Sequence, residues 1–289
     1  MDIKQTHFLG LADRYCDPAT ARYAVLPVPF EGSVSYKAGT ASGPLEILDA
    51  SEQVELFDEE LLGEYYQAGI ATYPVVHPAP GSDGQMQRVR EAAQPILAEG
   101  KFLLTLGGEH SITGPLVEGA AAVHGPISVL QIDAHADLRD SYEDTPFSHA
   151  CVMRRVLDVT QDICQVGIRN FSREEYEQCP RQAANFITPT VIAEDPNWID
   201  RALSLLSDKV YVTVDIDGFD PSIAPGTGTP EPGGLTYRQG LSLLRRVCTE
   251  RQVVSADIVE VRPLGANHVT EFLAARLAYK IIAYTQIAG

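Results

Sequence analysis

A short segment with aspartate and histidine at alternate positions is the most chemically suggestive feature of this chain. Asp133, His135 and Asp137 follow the mostly apolar run 129–132 and are separated by single alanines. In an extended strand alternate side chains point to one face, so these three polar groups would lie together. Buried charge needs a partner, and a divalent metal ion is a natural one. The alternative interpretation is two surface aspartates around a histidine with satisfied hydrogen bonds.

Two other predicted strands end in the same kinds of side chain. His110 follows the apolar segment 101–106, and Asp215 and Asp217 end the segment that begins at residue 210. Ligands collect at the carboxyl ends of strands in open α/β sheets, so all six residues would meet there. Carboxylates and imidazoles without a thiolate favour Mn²⁺ or a similar ion over structural zinc. Six ligands exceed the need of one ion, whereas two ions about 3.5–4 Å apart would use them.

Alternating strands and helices must position these residues. The pattern predicts strands at 23–29, 69–75, 101–106, 127–132, 163–168, 185–188, 210–215 and 253–261. It predicts helices that begin near Gly43 and near Ser111 or Thr113, and helices at 87–98, 148–157, 198–206, 235–248 and 268–284. Apolar, β-branched strands between amphipathic helices indicate a mostly parallel sheet covered on both faces. We therefore expect residues 1–289 to form one α/β domain.

The charge balance bears on possible partners. The 289 residues carry a formal net charge of −17, with 21% charged and 45% hydrophobic residues. Nucleic-acid binding requires clustered Lys and Arg, so a nucleic-acid partner is not expected. An acidic surface would steer a cationic substrate towards the protein, although many soluble proteins are simply acidic.

The cysteines and the apolar segments indicate a cytoplasmic protein. The five cysteines are odd in number and form no CxxC pair, which favours reduced thiols over a disulfide framework. The segment 1–7 lacks the basic region and apolar run of a signal peptide. The apolar segment 272–284 is interrupted by Arg276 and Lys280, so no membrane span is expected.

Several motifs in sequence order resemble the ureohydrolase family of arginases and agmatinases. These motifs are Gly-Gly-Glu-His110, Asp133-Ala-His-Ala-Asp137, Ser148-His149, Asp215-Ile-Asp217 with the Gly- and Pro-rich segment to Gly234, and Ala256-Asp-Ile-Val-Glu260. The resemblance extends from the Gly-containing loop near residue 40 to the last predicted helix. Each motif alone is weak evidence for the family. Their order and separations together match the family pattern, and this combination is specific.

The resemblance implies a fold, an activity and an assembly. It implies an arginase-like, three-layer α/β/α fold with a mostly parallel eight-stranded sheet, two Mn²⁺ per chain, and a trimer or hexamer of identical chains. The reaction would be hydrolysis of a small cationic guanidino compound to urea and an amine, by attack of a metal-bridging hydroxide on the guanidinium carbon. The resemblance divides the ligands into two bridging residues and one pair for each ion: Asp133 and Asp215 as bridges, His110 with Asp137, and His135 with Asp217.

The resemblance also assigns roles to three residues beyond simple ligation. Asp137 would carry a proton to the leaving amine, and His149 would be the proton shuttle, a role that suits its ordinary pKa. Glu260 would hold the guanidinium by charge-assisted hydrogen bonds. Without the resemblance, His149 and Glu260 would be read as surface residues at element ends. Asp220 is expected to shape its loop, and Glu231 either contacts substrate or occupies a turn.

The segment 141–149 bears on the substrate. It holds Glu143 and Asp144 and no Arg or Lys, so it would repel a substrate carboxylate and tolerate an amine. The Ser-Gly-Asn type of stretch found in arginases is absent there. Agmatine, with putrescine and urea as products, is therefore the first choice. Three positions depart from the common agmatinase pattern, and they leave the substrate open: Glu109, Ala150 and Arg262.

Three alternatives remain at this level. The first is a hydrolase of another guanidino compound, such as guanidinobutyrate, arginine or guanidine. The second is a deacetylase-like enzyme with one zinc, which the absence of a His-His pair disfavours. The third is a non-catalytic regulator that binds metal or polyamine, which the complete set of six ligand positions disfavours.

Overall fold

Seven parallel strands form the central sheet of this protein, in a computed structural model that describes residues 6–287. Residues 1–5, part of the segment considered above for a signal peptide, and residues 288–289 lie outside the described range. The strand order is β2-β1-β3-β7-β6-β4-β5. The strands are β1 Tyr23–Val28, β2 Ile70–Thr72, β3 Phe102–Gly107, β4 Ser128–Ile132, β5 Ile163–Val166, β6 Lys209–Asp215 and β7 Gln252–Val259.

Helices cover both faces of the sheet. They are α1 Gly43–Ser51, α2 Gly81–Ala98, α3 Thr113–His124, α4 Val152–Val156, α5 Arg173–Gln178, α6 Pro180–Ala183, α7 Pro189–Glu194, α8 Trp198–Ser204, α9 Tyr237–Glu250 and α10 Val269–Gln286. Strand side chains alternate between two apolar cores. In β6, Val212 and Val214 belong to the core under α1, α9 and α10, whereas Tyr211 belongs to the core under α2, α3 and α4. This alternation confirms the predicted α/β fold with a covered parallel sheet.

The predicted eighth strand is not formed as a strand. The predicted strand at 185–188 is reduced to a single parallel bridge between Ile187 and Val166. Thr188 instead caps the next helix, because its side chain accepts a hydrogen bond from the Val191 amide. Pro189 occupies the first turn of that helix, where proline is favoured. Within residues 6–287 the sheet therefore has seven strands, with a one-residue extension beside β5.

The four central strands place the residues of the candidate site at one edge of the sheet. In the order β3-β7-β6-β4 they are direct neighbours and run in the same direction. Their carboxyl ends therefore lie side by side: β6 ends at Asp215, and the segments that follow β3, β7 and β4 carry His110, Glu260 and Asp133. The three short helices α5 to α7, which the strand and helix pattern did not predict, lie beyond β5.

None of the helices within residues 6–287 is both long enough and apolar enough to cross a membrane.

Candidate metal centre

Two groups of potential metal ligands overlap at the carboxyl edge of the sheet. In the first, one ligand atom each from His110, Asp133 and Asp137 lie within 4.8 Å of one another. In the second, the same is true of Asp133, His135 and Asp217. Asp133 belongs to both groups, so the segment 133–137 contributes to each. The structure thus brings together the three-residue motif and the ends of two other strands.

The ring of His110 is oriented for metal binding. Its Nε2 lies 2.8 Å from the hydroxyl of Thr213 in β6. Its Nδ1 is buried, makes no well-aligned hydrogen bond, and lies 3.2 Å from an oxygen of Asp133 and 3.2 Å from an oxygen of Asp137. A hydrogen bond from one ring nitrogen fixes which nitrogen keeps a lone pair, and metal-ligating histidines use this device. The lone pair of His110 would face the two carboxylates.

Hydrogen bonds also hold the carboxylate of Asp133 and the neighbouring groups in place. The His135 amide donates to Oδ1 of Asp133 at 2.6 Å, and the Gln131 side chain donates to Oδ2 at 2.5 Å. His135 Nδ1 lies 3.1 Å from Oδ2 of Asp217. The Ala134 amide donates to the other oxygen of Asp217 at 3.1 Å. Backbone amides therefore fix these carboxylates while leaving oxygens directed at the imidazoles.

Asp215 lies beside the first group without being one of its three members. Its Oδ2 is 3.4 Å from His110 Nδ1, and its Oδ1 accepts a hydrogen bond from the Asp217 amide at 2.9 Å. The segment Ile216–Gly218 forms one turn of 3-10 helix directly after β6. That turn brings Asp217 back towards His135, which the alternate spacing alone could not show.

The electrostatics of the cluster indicate uncompensated negative charge. Burial and the nearby Asp133 raise the pKa of Asp137 to about 7. Burial, Asp217 and Asp133 raise the pKa of Asp215 well above its usual value. Burial opposes a charge on His110, yet the surrounding carboxylates raise the pKa of its imidazole well above the ordinary range. A bound divalent cation would relieve this repulsion and displace the imidazole protons, so the residues fit a metal site.

Asp137 and Glu260 have left-handed backbone conformations, with φ of 54° and 62°. Residues other than glycine rarely adopt this conformation, which is typical of functional sites where surrounding contacts enforce it. The carbonyl of Asp137 accepts hydrogen bonds from the amides of Met153 and Arg154 in α4. Oε1 of Glu260 accepts a hydrogen bond from the His110 amide at 2.7 Å. Glu260 is therefore fixed next to the first group.

His149 begins a single turn of 3-10 helix that leads into α4. Its ring nitrogens lie 2.7 Å from the Ser33 hydroxyl and 2.8 Å from the Ser35 hydroxyl. Burial and the charges on His110 and His135 lower the pKa of His149 to about 4. The ring is therefore neutral at pH 7, and its pKa lies below the ordinary value on which the proton-shuttle prediction relied. The Ser33 and Ser35 contacts were not expected from the sequence, because the serines lie more than a hundred positions away.

A buried hydrogen-bond network behind His110 was also not predicted from the sequence. The Thr213 hydroxyl donates to Asp257 in β7 at 2.6 Å, and Tyr211 and Thr113 donate to the same carboxylate at 2.7 and 2.8 Å. Asp257 is completely buried. Such outer partners orient metal ligands and tune their affinity. The sequence did contain one signal for this network. Asp257 lies within a mostly apolar strand, and a buried carboxylate there requires hydrogen-bond partners.

Gly108 places the strand end that carries His110. A Cβ at this position would lie 2.0 Å from the carbonyl oxygen of Phe30. We predict that Gly108→Ala lowers the free energy of unfolding by about 1–3 kcal/mol, the usual range for overpacking, and weakens metal binding. Urea-induced unfolding and metal titration measure the two effects. Gly84→Ala in α2, where only Ala79 is near, is the matched control and should leave metal binding unchanged.

A cavity of about 190 Å³ opens above the candidate ligands. Its lining includes His135, Asp137 and His149 together with Arg139, Tyr142 and Phe171. Arg139 adds a cation that was not predicted from the sequence, and its guanidinium lies 5.2 Å from the Tyr142 ring centre. A larger cavity of about 780 Å³ lies at the opposite, amino-terminal edge of the sheet and shares no lining residue with it.

Comparison with known proteins identifies the family to which this arrangement belongs. The model of the arginase family matches residues 21–283, a range that contains every residue of the centre. The chain belongs to the arginase family. These enzymes are amidinohydrolases, and the ureohydrolase resemblance is confirmed.

The relatives place this family member in the agmatinase-like branch. It is 40% identical over 275 residues to an N(1)-aminopropylagmatine ureohydrolase of Synechocystis, an alignment that covers 92% of this chain and 90% of the relative. It is 33% identical over 279 residues to an agmatinase of Pyrococcus horikoshii, covering 92% and 93%. The crystal structure of an agmatine ureohydrolase of Thermoplasma volcanium superposes with a TM-score of 0.89 at 31% identity, covering 99% and 96%.

Proposed function

We propose that this protein is a manganese-dependent ureohydrolase that converts an agmatine-type guanidino amine to urea and the corresponding amine. The observation that carries the proposal is the pair of overlapping ligand groups that share Asp133. We further propose that residues 1–289 act as one domain. Assembly into a trimer or hexamer stays a prediction from the family resemblance.

The ligand chemistry supports two Mn²⁺ per chain. Oxygen donors with two imidazoles and no thiolate suit a hard divalent ion. In this proposal the six residues of the sequence analysis hold the ions: His110, Asp133, His135, Asp137, Asp215 and Asp217. When bound, a pair of such ions acidifies a shared water, so that hydroxide becomes available near neutral pH.

The surrounding residues would bind the substrate and move protons. Glu260, fixed by the His110 amide, would accept hydrogen bonds from the guanidinium. His149 lines the cavity above the ligands, where its imidazole would take up and return a proton. Asp137, whose carboxyl also faces this cavity, would deliver a proton to the leaving amine.

Two substrates with the agmatine skeleton are favoured over guanidino acids. Glu143 and Asp144 are exposed in a tight turn, in which Tyr142 and Thr145 exchange backbone hydrogen bonds. This acidic turn follows directly after the cavity-lining Tyr142 and would attract an ammonium group. Four N(1)-aminopropylagmatine ureohydrolases are 36–40% identical to this chain, whereas four agmatinases are 32–34% identical. We therefore place N(1)-aminopropylagmatine before agmatine.

A panel of guanidino compounds tests the substrate proposal. With the Mn²⁺-loaded protein we expect kcat/KM to be highest for N(1)-aminopropylagmatine, followed by agmatine. Arginine and guanidinobutyrate should be lower by at least about 100-fold, because like-charge juxtaposition costs several kcal/mol. Urea release, with metal content measured on the same sample, gives the ratios.

Two outcomes would contradict different parts of the proposal. Faster hydrolysis of guanidinobutyrate or arginine would show that Arg139 dominates over the acidic turn and would overturn the choice of substrate tail. Binding of a guanidino compound without urea release from any of them would favour a non-catalytic regulator.

A further inference from the structure

The loop 31–40 covers one side of His149 and contacts both of its ring nitrogens. Ser33 Oγ lies 2.7 Å from Nδ1, and Ser35 Oγ lies 2.8 Å from Nε2. The His149 amide also donates to Ser33 Oγ at 3.2 Å. The orientation of this ring is therefore determined by a loop that precedes it by more than a hundred residues.

Hydroxyl groups suit a ring that must change its protonation state. A neutral imidazole needs one donor and one acceptor, whereas a protonated imidazole needs two acceptors. A serine hydroxyl can rotate and serve in either role. Ser33 and Ser35 can therefore satisfy both nitrogens before and after a proton arrives, without any movement of the ring.

The carboxylate of Glu109 fixes the loop at the point where Ser33 begins its contact. Its Oε2 accepts hydrogen bonds from the amides of Gly32 and Ser33 at 2.5 and 2.6 Å. Its Oε1 accepts from the hydroxyls of Ser33 at 3.2 Å and Ser111 at 2.5 Å. Glu109 is only 1% exposed, so these bonds form away from solvent and gain strength from the charge.

Other contacts hold the far end of the loop but do not reach Ser33. Glu31 accepts hydrogen bonds from the amides of Gly39 and Thr40 at 2.6 and 2.9 Å. Arg262, one of the departures noted in the sequence, donates to the Ala38 carbonyl at 2.7 Å. Arg262 therefore contacts the far end of the loop 31–40, whereas Glu109 makes the contacts nearest to His149.

We infer that Glu109 is a positioning residue that acts on His149 through Ser33. It touches neither the cavity nor any ring nitrogen, yet it fixes the hydroxyl that contacts Nδ1. This inference rests on the proposed role of His149 as a proton shuttle. It also gives a function to Glu109, which stands where an aspartate is frequent in the family pattern and whose longer side chain reaches the loop.

Three substitutions and one control test the inference. Glu109→Gln keeps the size of the side chain but removes the charge, and Glu109→Asp keeps the charge but shortens the reach. Ser33→Ala removes the hydroxyl alone. Glu271→Gln is the matched control, because Glu271 is a glutamate only 1% exposed in α10 whose carboxylate has no hydrogen-bond partner among the described residues.

We expect Glu109→Gln and Ser33→Ala to lower kcat by about 10- to 100-fold, part of the usual contribution of a general acid–base group. KM should change less than about threefold and metal content should stay at two ions per chain, since neither substitution alters a ligand. Glu109→Asp should fall between Glu109→Gln and the wild type. Glu271→Gln should match the wild type.

A double substitution separates this role from a general structural one. In a His149→Phe background, Glu109→Gln should lower kcat no further, because residues that act through one another are not additive. Hydrogen–deuterium exchange of peptides covering 31–42 should be faster in Glu109→Gln than in the wild type or Glu271→Gln. This exchange tests the anchoring even if the wild type hydrolyses none of the expected substrates.

Three results would overturn the inference. The first is a further loss of kcat in the His149→Phe background. The second is a loss of metal that parallels the loss of kcat, which would make Glu109 part of the metal centre. The third is unchanged exchange of the loop in Glu109→Gln. If that variant fails to fold, Ser33→Ala alone and in the His149→Phe background decides the question.

Discussion

Asp133→Asn should hold fewer than two metal ions per chain and should lower kcat by more than about 100-fold, because loss of even an outer partner of a metal ligand often costs 10- to 100-fold. Asp133 is the residue shared by the two ligand groups, and it is completely buried. Asparagine preserves the shape and the hydrogen bond from the His135 amide but removes the charge. Both groups should therefore bind metal more weakly at once.

Metal content after dialysis and urea release in excess Mn²⁺ measure this effect. Asp140→Asn is the matched control, because Asp140 is exposed, lies three positions after Asp137 and pairs with Arg155 at 2.7 Å. It should retain two ions and wild-type turnover. Asp215→Asn should behave like Asp133→Asn. A fully loaded, active Asp215→Asn protein would contradict the assignment of Asp215 as a bridge.

Most of the sheet could be predicted because its signals are local. Strands β1, β3, β4, β6 and β7 lie within one or two residues of the predicted bounds, since each is a short, mostly apolar run. The strand predicted at 185–188 failed because the capping preference of Thr188 and the proline that follows it favour a helix there. The capping box of Ser172 and Glu175 was a local signal for the start of α5, but the strand and helix prediction did not use it.

The same distinction between local signals and distant contacts applies to the candidate site. Alternate spacing in the segment directly after a strand is a local property, so the relation of Asp133 to His135 and Asp137 could be seen in the sequence. The contacts of His110 with Thr213, and of Thr213 with Asp257, depend on which strands become neighbours. The contacts of His149 with Ser33 and Ser35 depend on how a long loop folds back. Such pairings join distant positions, and one sequence carries no local signal for them.

His149→Phe should keep both metal ions and lower kcat by about 100- to 1,000-fold, within the range for loss of a general acid–base group. His149 is not a member of either ligand group, and its nearest polar partners are the two serines. Phenylalanine keeps a ring of similar size in the cavity but cannot carry a proton. KM should change little, because the proposed guanidinium contact belongs to Glu260.

Chemical rescue separates proton transfer from a change of cavity shape. In His149→Ala the cavity of about 190 Å³ is enlarged next to Ser33 and Ser35, whose hydroxyls could hold a free imidazole. Added imidazole should therefore restore part of kcat to His149→Ala and none to His149→Phe, where the ring blocks the space. The neutral form is the active acceptor, so rescue should rise with pH through the pKa of free imidazole. Loss of metal from His149→Phe, or equal rescue of both variants, would instead assign His149 to the metal centre or to packing.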